Sequence, residues 1–249
     1  MGGLKMNTQV LAIGDIHGQI QLFKEMLNHW KEATQQLVLI GDLGDRGENP
    51  KACFLLGKKL VEEKQAIYLK GNHEDLLLRF LADPEERYEN YCLNGGMRTL
   101  ESLLHTGLEA EYSPTEISML VKSHYPELIE FLNGLPLYFE WQDYVFVHAG
   151  VDLAKSDWKK TSERDFMWIR EPFHTGENKT GKTIVFGHTI TPSLHGDNET
   201  TSLWQQDHKV GIDGGAVYGG VLHGVVFDKK QLVEDIVLVN KGYVWDGER

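Results

Sequence analysis

The sequence predicts an α/β protein built on two sheets. Three observations carry this prediction. A buried-looking strand, a Gly- and Asp-rich loop and a helix follow one another three times in the first third. Residues 83–135 show no strand-like alternation. From Leu137 onward, short Val- and Ile-rich segments separated by turn residues return.

Val10 to Ile13 is an apolar run ending in GDIHG, and Gln19 to Trp30 then carries Ile20, Phe23, Met26, Leu27 and Trp30 at helical spacing. Leu37 to Ile40 ends in GDLGDRG, after which Pro50 to Glu62 resumes a helical pattern. Ala66 to Leu69 ends in GNHE, followed by Leu76, Leu77, Phe80 and Leu81. This is the βαβ signature of a mainly parallel sheet, whose functional loops lie at the carboxyl ends of the strands. Asp83 to Leu135 reads as helices broken at Gly95-Gly96, Gly107 and Pro114, a helical insertion flanking those loops. The segments YFEWQDYVFVHAG, TIVFGHT, KVGIDGGAV, GVLHGVVFD and LVEDIVLVN supply the second sheet. No Pro- or Ser-rich linker separates the halves, so residues 1–249 read as one domain.

A formal charge of −12 argues against nucleic acid or anionic lipid as a partner, because both need clustered Lys and Arg. No run approaches the length of a membrane span, and the N-terminal MGGLKMNTQ lacks a signal-peptide core, so the expected location is the cytoplasm. Met6 stands where a myristoylation signal at Gly2 needs Ser or Thr. Cys53 and Cys92 form no CxxC pair and read as reduced core residues. In that setting the glycosylation triplets at Asn178 and Asn198 carry little meaning.

The loops present Asp15 and His17, then Asp42, Asp45 and Arg46, then Asn72, His73 and Glu74, then His148, and finally His188. One strand–Gly–Asp loop is an ordinary turn. Five strand ends of this kind in one chain point to a metal centre. Oxygen and imidazole donors without thiolates suit a hydrolytic site for manganese, iron or zinc. Two such ions sharing a carboxylate can acidify a water and hold both oxygens of a displacement at phosphorus.

In order and interval, GDIHG, GDLGDRG, GNHE, VHAG and FGHT resemble the signature of the phosphoprotein phosphatase family within the calcineurin-like metallophosphoesterases. The resemblance spans Gly14 to Thr189. It implies a four-layer α/β/β/α two-sheet sandwich and a centre of two divalent transition metal ions, manganese first, with iron, zinc or nickel as alternatives. It further implies that Asp15, His17 and Asp42 hold one metal, with Asp42 bridging, and that Asn72, His148 and His188 complete the second. His73 becomes the general acid, Asp45 its orienting carboxylate, and Arg46 and Arg170 the phosphate clamp. Hydrolysis then proceeds by in-line attack of a metal-bridging hydroxide.

Other positions have two readings. Arg170, in FMWIREPF, reads first as a clamp, with simple pairing to Glu163 or Asp165 as the alternative. Glu74 is either a supporting carboxylate or an acid favoured by its helix N-terminus. NGGMRTL, Asn94 to Leu100, resembles an element near the cleft of bacterial relatives, or is a helix-breaking Gly pair. IDGGAVYGGVL resembles a segment in which threonine is common at the Gly214 position. His29, His105, His124, His174, His195 and His208 read as surface or packing residues, and His223 as a strand histidine. GENKTGKT, Gly176 to Thr183, matches a nucleotide-binding string, but a strand follows it where a helix is needed, so it reads as a polar turn.

The expected substrate is a phosphoprotein bearing phosphoserine or phosphothreonine, with dinucleoside polyphosphates such as diadenosine tetraphosphate as the alternative. A catalytically silent phosphate-sensing module on the same fold is the rival from another class. Oligomeric state and regulatory partners leave no mark in the sequence.

Overall fold

A computed structural model describes residues 7–197, 199–245 and 247. Gly2, Met6 and Asn198 lie outside the described residues. The order of elements is β1 (Gln9–Ile13), α1 (Ile20–Leu27), β2 (Gln35–Leu39), α2 (Pro50–Lys64), β3 (Ile67–Tyr68), α3 (Asn72–Ala82), α4 (Pro84–Leu93), α5 (Gly96–Leu103), α6 (Pro114–His124), α7 (Pro126–Asn133), β4 (Tyr138–Trp141), β5 (Tyr144–Val147), α8 (Glu163–Trp168), α9 (Glu171–Thr175), β6 (Thr183–Phe186), α10 (Thr191–His195), β7 (Trp204–Gln206), β8 (Lys209–Gly211), β9 (Val221–Asp228) and β10 (Leu232–Val239).

Local chemistry sets these boundaries. Asn49 accepts the Ala52 N–H and Pro50 opens α2, while Ser113 and Glu116 form a capping box at the start of α6. The insertion breaks where its glycines and prolines predict: Gly95 has φ 88° just before α5, Gly107 has φ 74°, and Pro114 opens α6. Among the described residues, no helix is long and apolar enough to cross a membrane. Cys53 and Cys92 are both buried.

One sheet has the strand order β10-β9-β1-β2-β3 and the other β4-β5-β6-β8-β7. β1, β2 and β3 pair in parallel, as the βαβ pattern predicts. The later strands divide differently from expectation. β9 and β10 were expected in the second sheet, but β9 pairs antiparallel with β1, and β10 with β9, making the first sheet mixed. The reason is packing on both faces of β9. Val225 and Phe227 join Val10, Ala12, Val38 and Phe146 between the sheets, whereas Leu222 and Val226 join the helix-side core. Either sheet accepts such a continuously apolar strand, so its pattern does not choose between them.

The four layers follow from that alternation. Leu11 and Ile13 face α1 and α2, Val10 and Ala12 face the second sheet, and the outer side of that sheet packs Val145, Val147, Ile184 and Phe186 against Phe166 and Phe173.

Glu74, in the first turn of α3, ties this frame to its loops. Its buried carboxylate accepts the N–H groups of Asp42 (2.9 Å), Leu43 (2.9 Å) and Gly71 (2.8 Å) and the Tyr68 hydroxyl (2.8 Å). It thus clasps the ends of β2 and β3 together. Both readings of Glu74 hold, since the same side chain also closes a capping arrangement at Gly71.

Glu74→Ala leaves several buried donors unpaired, with an expected loss of about 3 kcal/mol or more measured by urea denaturation. Gly44→Ala places a methyl 2.2 Å from Phe54 Cζ, so it is expected to lower stability by about 1–3 kcal/mol. Gly134→Ala, whose nearest neighbours lie at 3.6 Å, serves as the near-neutral control in the same melts.

Candidate active site

The carboxyl ends of β1, β2, β3, β5 and β6 open on one crevice. Asp15, His17, Asp42, Asp45, Asn72, His73, His148 and His188 are all buried there, Arg46 is half-buried, and Arg170 reaches in from the segment between α8 and α9. A cavity of about 340 Å³ lies over them, lined by Asp42, Arg46, Asn72, His73, Arg170 and His188 among others. The strand-end residues, together with Arg46 and Arg170, are gathered around this crevice.

The backbone is bent hard to achieve it. His17 (φ 42°), Asp42 (53°), Asp45 (63°), Arg46 (63°) and His188 (64°) all occupy the left-handed region, which is rare for residues with a side chain. Gly187 is needed for a different reason. A Cβ there would sit 2.0 Å from Asp15 Oδ1.

Hydrogen bonds set the direction of each imidazole. His17 Nδ1 lies 2.9 Å from the Gly44 carbonyl and His148 Nδ1 2.9 Å from the Ile40 carbonyl. A carbonyl only accepts, so each Nδ1 carries the proton and each Nε2 presents a lone pair to the crevice. His148 Nε2 then faces Asn72 Oδ1 at 2.8 Å and Asp42 Oδ1 at 3.4 Å, and His188 Nδ1 faces the same Asn72 oxygen at 2.7 Å. Burial pushes His148 down to about 3, so its Nε2 carries no proton toward Asn72 at neutral pH.

His148 Nε2 and Asn72 Oδ1, two acceptors 2.8 Å apart with no donor between them, call for a cation. Asp15 Oδ1 and His188 Nε2 are further buried atoms with no hydrogen-bond partner. Burial raises the Asp15 carboxyl, as do Asp213 and Asp42, and burial followed by Glu74 raises Asp42. Donor atoms of Asp42, His148 and His188 lie within 4.8 Å of one another, as do those of His17, Asp42 and His73, so both groups could hold a metal ion. Asn72, whose amide oxygen stands among the first group, fits the same centre.

His73 occupies a second kind of environment. Its Nδ1 bonds to Asp45 Oδ2 at 2.7 Å, and its Nε2 accepts from Arg46 Nη2 at 2.8 Å. Burial, with Arg46 and His148 nearby, holds this imidazole well below its ordinary value. Asp45 is fixed in turn by Tyr91 Oη (2.8 Å) and Thr99 Oγ1, and burial pushes its carboxyl up to about 7. Arg46 Nη1 donates to His17 Nε2 at 2.7 Å, the lone pair a metal on His17 would also use, so a metal bound there requires the guanidinium to turn aside.

Of the two-sided positions, Arg170 donates to Thr189 Oγ1 (2.8 Å) rather than to Glu163 or Asp165. NGGMRTL lies at the site: the Gly95 carbonyl accepts from Arg46 N, and Thr99 both accepts the Asp45 N–H and donates to its carboxylate. Gly214 leaves no room for a side chain, since a Cβ would meet the Val221 carbonyl at 2.5 Å. His223 is a strand histidine held by Asp235 and the Thr201 carbonyl. His174 is packed against Phe173 and Phe186, and the other five outlying histidines are exposed. GENKTGKT leads into β6 with no helix after it. Tyr91 and Thr99, which hold Asp45, and Trp168 and Asp213, which line the cavity, were not foreseen. Asp213 follows a strand and precedes glycine, so the strand-end signal was there to be read.

The calcineurin-like phosphoesterase family profile matches residues 8–220. The bis(5'-nucleosyl)-tetraphosphatase PrpE [asymmetrical] of Bacillus mycoides is 27% identical over 248 residues, covering 89% of this chain and 91% of the relative. The protein of the same name from Oceanobacillus iheyensis is 28% identical over 244 residues, covering 89% of each. A crystal structure provisionally described as a diadenosine tetraphosphatase superposes with a TM-score of 0.66 at 18% identity, covering 99% of this chain and 97% of that one. A cold-active protein-tyrosine phosphatase of a Shewanella species shares the fold, with a TM-score of 0.54 at 15% identity over 94% of this chain and 81% of that one. The chain belongs to the calcineurin-like phosphoesterases, metal-dependent hydrolases of phosphoric esters.

Proposed function

We propose that this enzyme hydrolyses dinucleoside polyphosphates, cutting a tetraphosphate into unequal products, and that phosphoproteins are the second-ranked substrate. This reverses the order expected from the sequence. The observation that carries it is the naming of the relatives from B. mycoides and O. iheyensis, which align along 89% of this chain. The tyrosine phosphatase shares the fold alone. Room beside the site suits a long substrate: next to the 340 Å³ cavity lies another of about 460 Å³, which shares Arg170 and Ser193 with it and is bordered by His174, Leu194 and Trp204.

Asp15, His17 and Asp42 would hold one divalent cation, and Asn72, His148 and His188, with Asp42 shared, the other. Manganese suits these oxygen and imidazole donors, as do iron, zinc and nickel. When bound, the pair supplies Lewis acidity at a phosphate oxygen and a more acidic water. Arg46 and Arg170 grip the remaining phosphate oxygens through their planar forks. Once Arg46 turns from His73 Nε2 to the phosphate, that nitrogen can take up a proton and deliver it to the leaving oxygen, and Asp45 on Nδ1 favours the protonated ring against burial and the charge of Arg46.

The leaving group separates the two substrates. A terminal phosphate has a pKa of about 6 and leaves without much help, whereas a serine alkoxide is a far stronger base. His73→Asn is therefore expected to lower kcat on a phosphoserine peptide about 100-fold or more, and on diadenosine tetraphosphate much less. Asp45→Asn follows the same pattern, and the double variant is no worse than His73→Asn alone, because the two act as a unit.

Side-by-side turnover by manganese-loaded protein is expected to favour diadenosine tetraphosphate over the phosphopeptide by about tenfold or more in kcat/KM, a margin of about 1.4 kcal/mol. Chromatography should show unequal nucleotide products, and better turnover of the peptide would reverse the ranking. Chelation should abolish both activities and manganese restore them. Undiminished hydrolysis by folded Asp42→Asn protein would remove the metal centre from the account.

A further inference from the structure

The family match ends at residue 220, but the chain does not leave the site there. After β9 and β10 pair onto the first sheet, Asn240–Trp245 returns to the crevice. Its anchors are polar and closely spaced. Asn240 N donates to the Gly220 carbonyl (3.1 Å), and Asn240 Nδ2 to the carbonyls of Ala216 (2.8 Å) and Tyr243 (2.8 Å). Gln19 Nε2, from the loop before α1, donates to the Tyr243 carbonyl (2.7 Å), and Trp245 N donates to the Val217 carbonyl (2.8 Å).

This return lays aromatic rings on two arginines. The Trp245 ring centre lies 5.3 Å from Arg46 Cζ and the Tyr218 ring centre 5.5 Å from it, and the two rings stand 5.8 Å apart. Tyr243 covers Arg98, of the NGGMRTL element, at 5.3 Å. Gly95 bounds the other side of Arg46: a Cβ there would lie 2.5 Å from Arg46 Cγ. Arg46 Nε is buried with no hydrogen-bond partner, so at that atom the side chain is confined by shape and ring faces.

We propose that Trp245 is a positioning residue for Arg46 and that Asn240–Trp245 is a strap belonging to the active site. By stacking on the guanidinium, Trp245 and Tyr218 limit how far it can turn out of the crevice when a metal on His17 displaces it from His17 Nε2, so that its donors stay within reach of a bound phosphate. The consequence for turnover rests on Arg46 gripping phosphate, as proposed above. The same strap ties the helical insertion, through Arg98, to the C-terminal end of the chain.

A mutant cycle tests this, using the full-length manganese-loaded protein, p-nitrophenyl phosphate as substrate and inorganic phosphate as the binding probe. Trp245→Ala is expected to raise KM and the phosphate inhibition constant about three- to thirtyfold, a range set by the strength of a cation–π contact. Calorimetric titration with phosphate should show the same loss of affinity. Trp245→Phe, which keeps a ring, should recover most of it, with thermal stability of both variants close to the parent.

In an Arg46→Ala background, Trp245→Ala should add nothing further. A parental phosphate affinity in Trp245→Ala, or a loss of equal size in the Arg46→Ala background, overturns the positioning role. An Arg46→Ala protein with parental phosphate affinity instead overturns the clamp assigned to Arg46, so the two failures are told apart.

Discussion

The buried carboxylate of Glu74 is the constraint on which the site depends. By accepting the N–H groups of Asp42, Leu43 and Gly71, it binds the end of β2 to the end of β3 and holds the left-handed backbone at Asp42 in place. Asp42, Asn72 and His73 therefore share one rigid corner. A charge buried this deeply is tolerated because it is saturated with donors, and taking it away would leave those donors stranded. Burial raises the Glu74 carboxyl, while Tyr68 and the three backbone donors act to lower it.

The rest of the site is assembled around that corner by groups working in opposite senses. His148 Nε2 and Asn72 Oδ1 are acceptors pressed together, and Asp15 Oδ1 and His188 Nε2 are buried without a partner, an arrangement that a cation would relieve. The His73–Asp45 pair is fully hydrogen-bonded, through Tyr91 and Thr99 on one side and Arg46 on the other. One part is preorganised to bind cations and the other to keep an imidazole aimed, and both sit on strained backbone that a well-packed two-sheet frame can sustain.

The helical insertion and the C-terminal strap perform related tasks from opposite sides of the crevice. Tyr91 and Thr99 of the insertion set Asp45, its Gly95 carbonyl accepts the Arg46 N–H, and Trp245 of the strap covers the guanidinium. Two elements outside the strand-end loops thus converge on GDLGDRG.

The sequence by itself determined which strand-end residues the fold gathers around one crevice, because each sits in a loop that directly follows an apolar strand, and that adjacency is local. It also determined the parallel β1–β2–β3 arrangement and the breaks in the insertion, which rest on helical periodicity and on glycine and proline conformations. Tertiary structure alone decided that β9 extends the first sheet, since a strand buried on both faces has no pattern that selects its neighbour, and β10 follows it there as its antiparallel partner. It alone decided that Thr99 and Tyr91, 54 and 46 residues from Asp45 in the chain, hold that carboxylate, and that Trp245 returns to Arg46. These contacts join distant segments through side chains whose types are ordinary anywhere in a protein, so only the closed fold assigns them a partner.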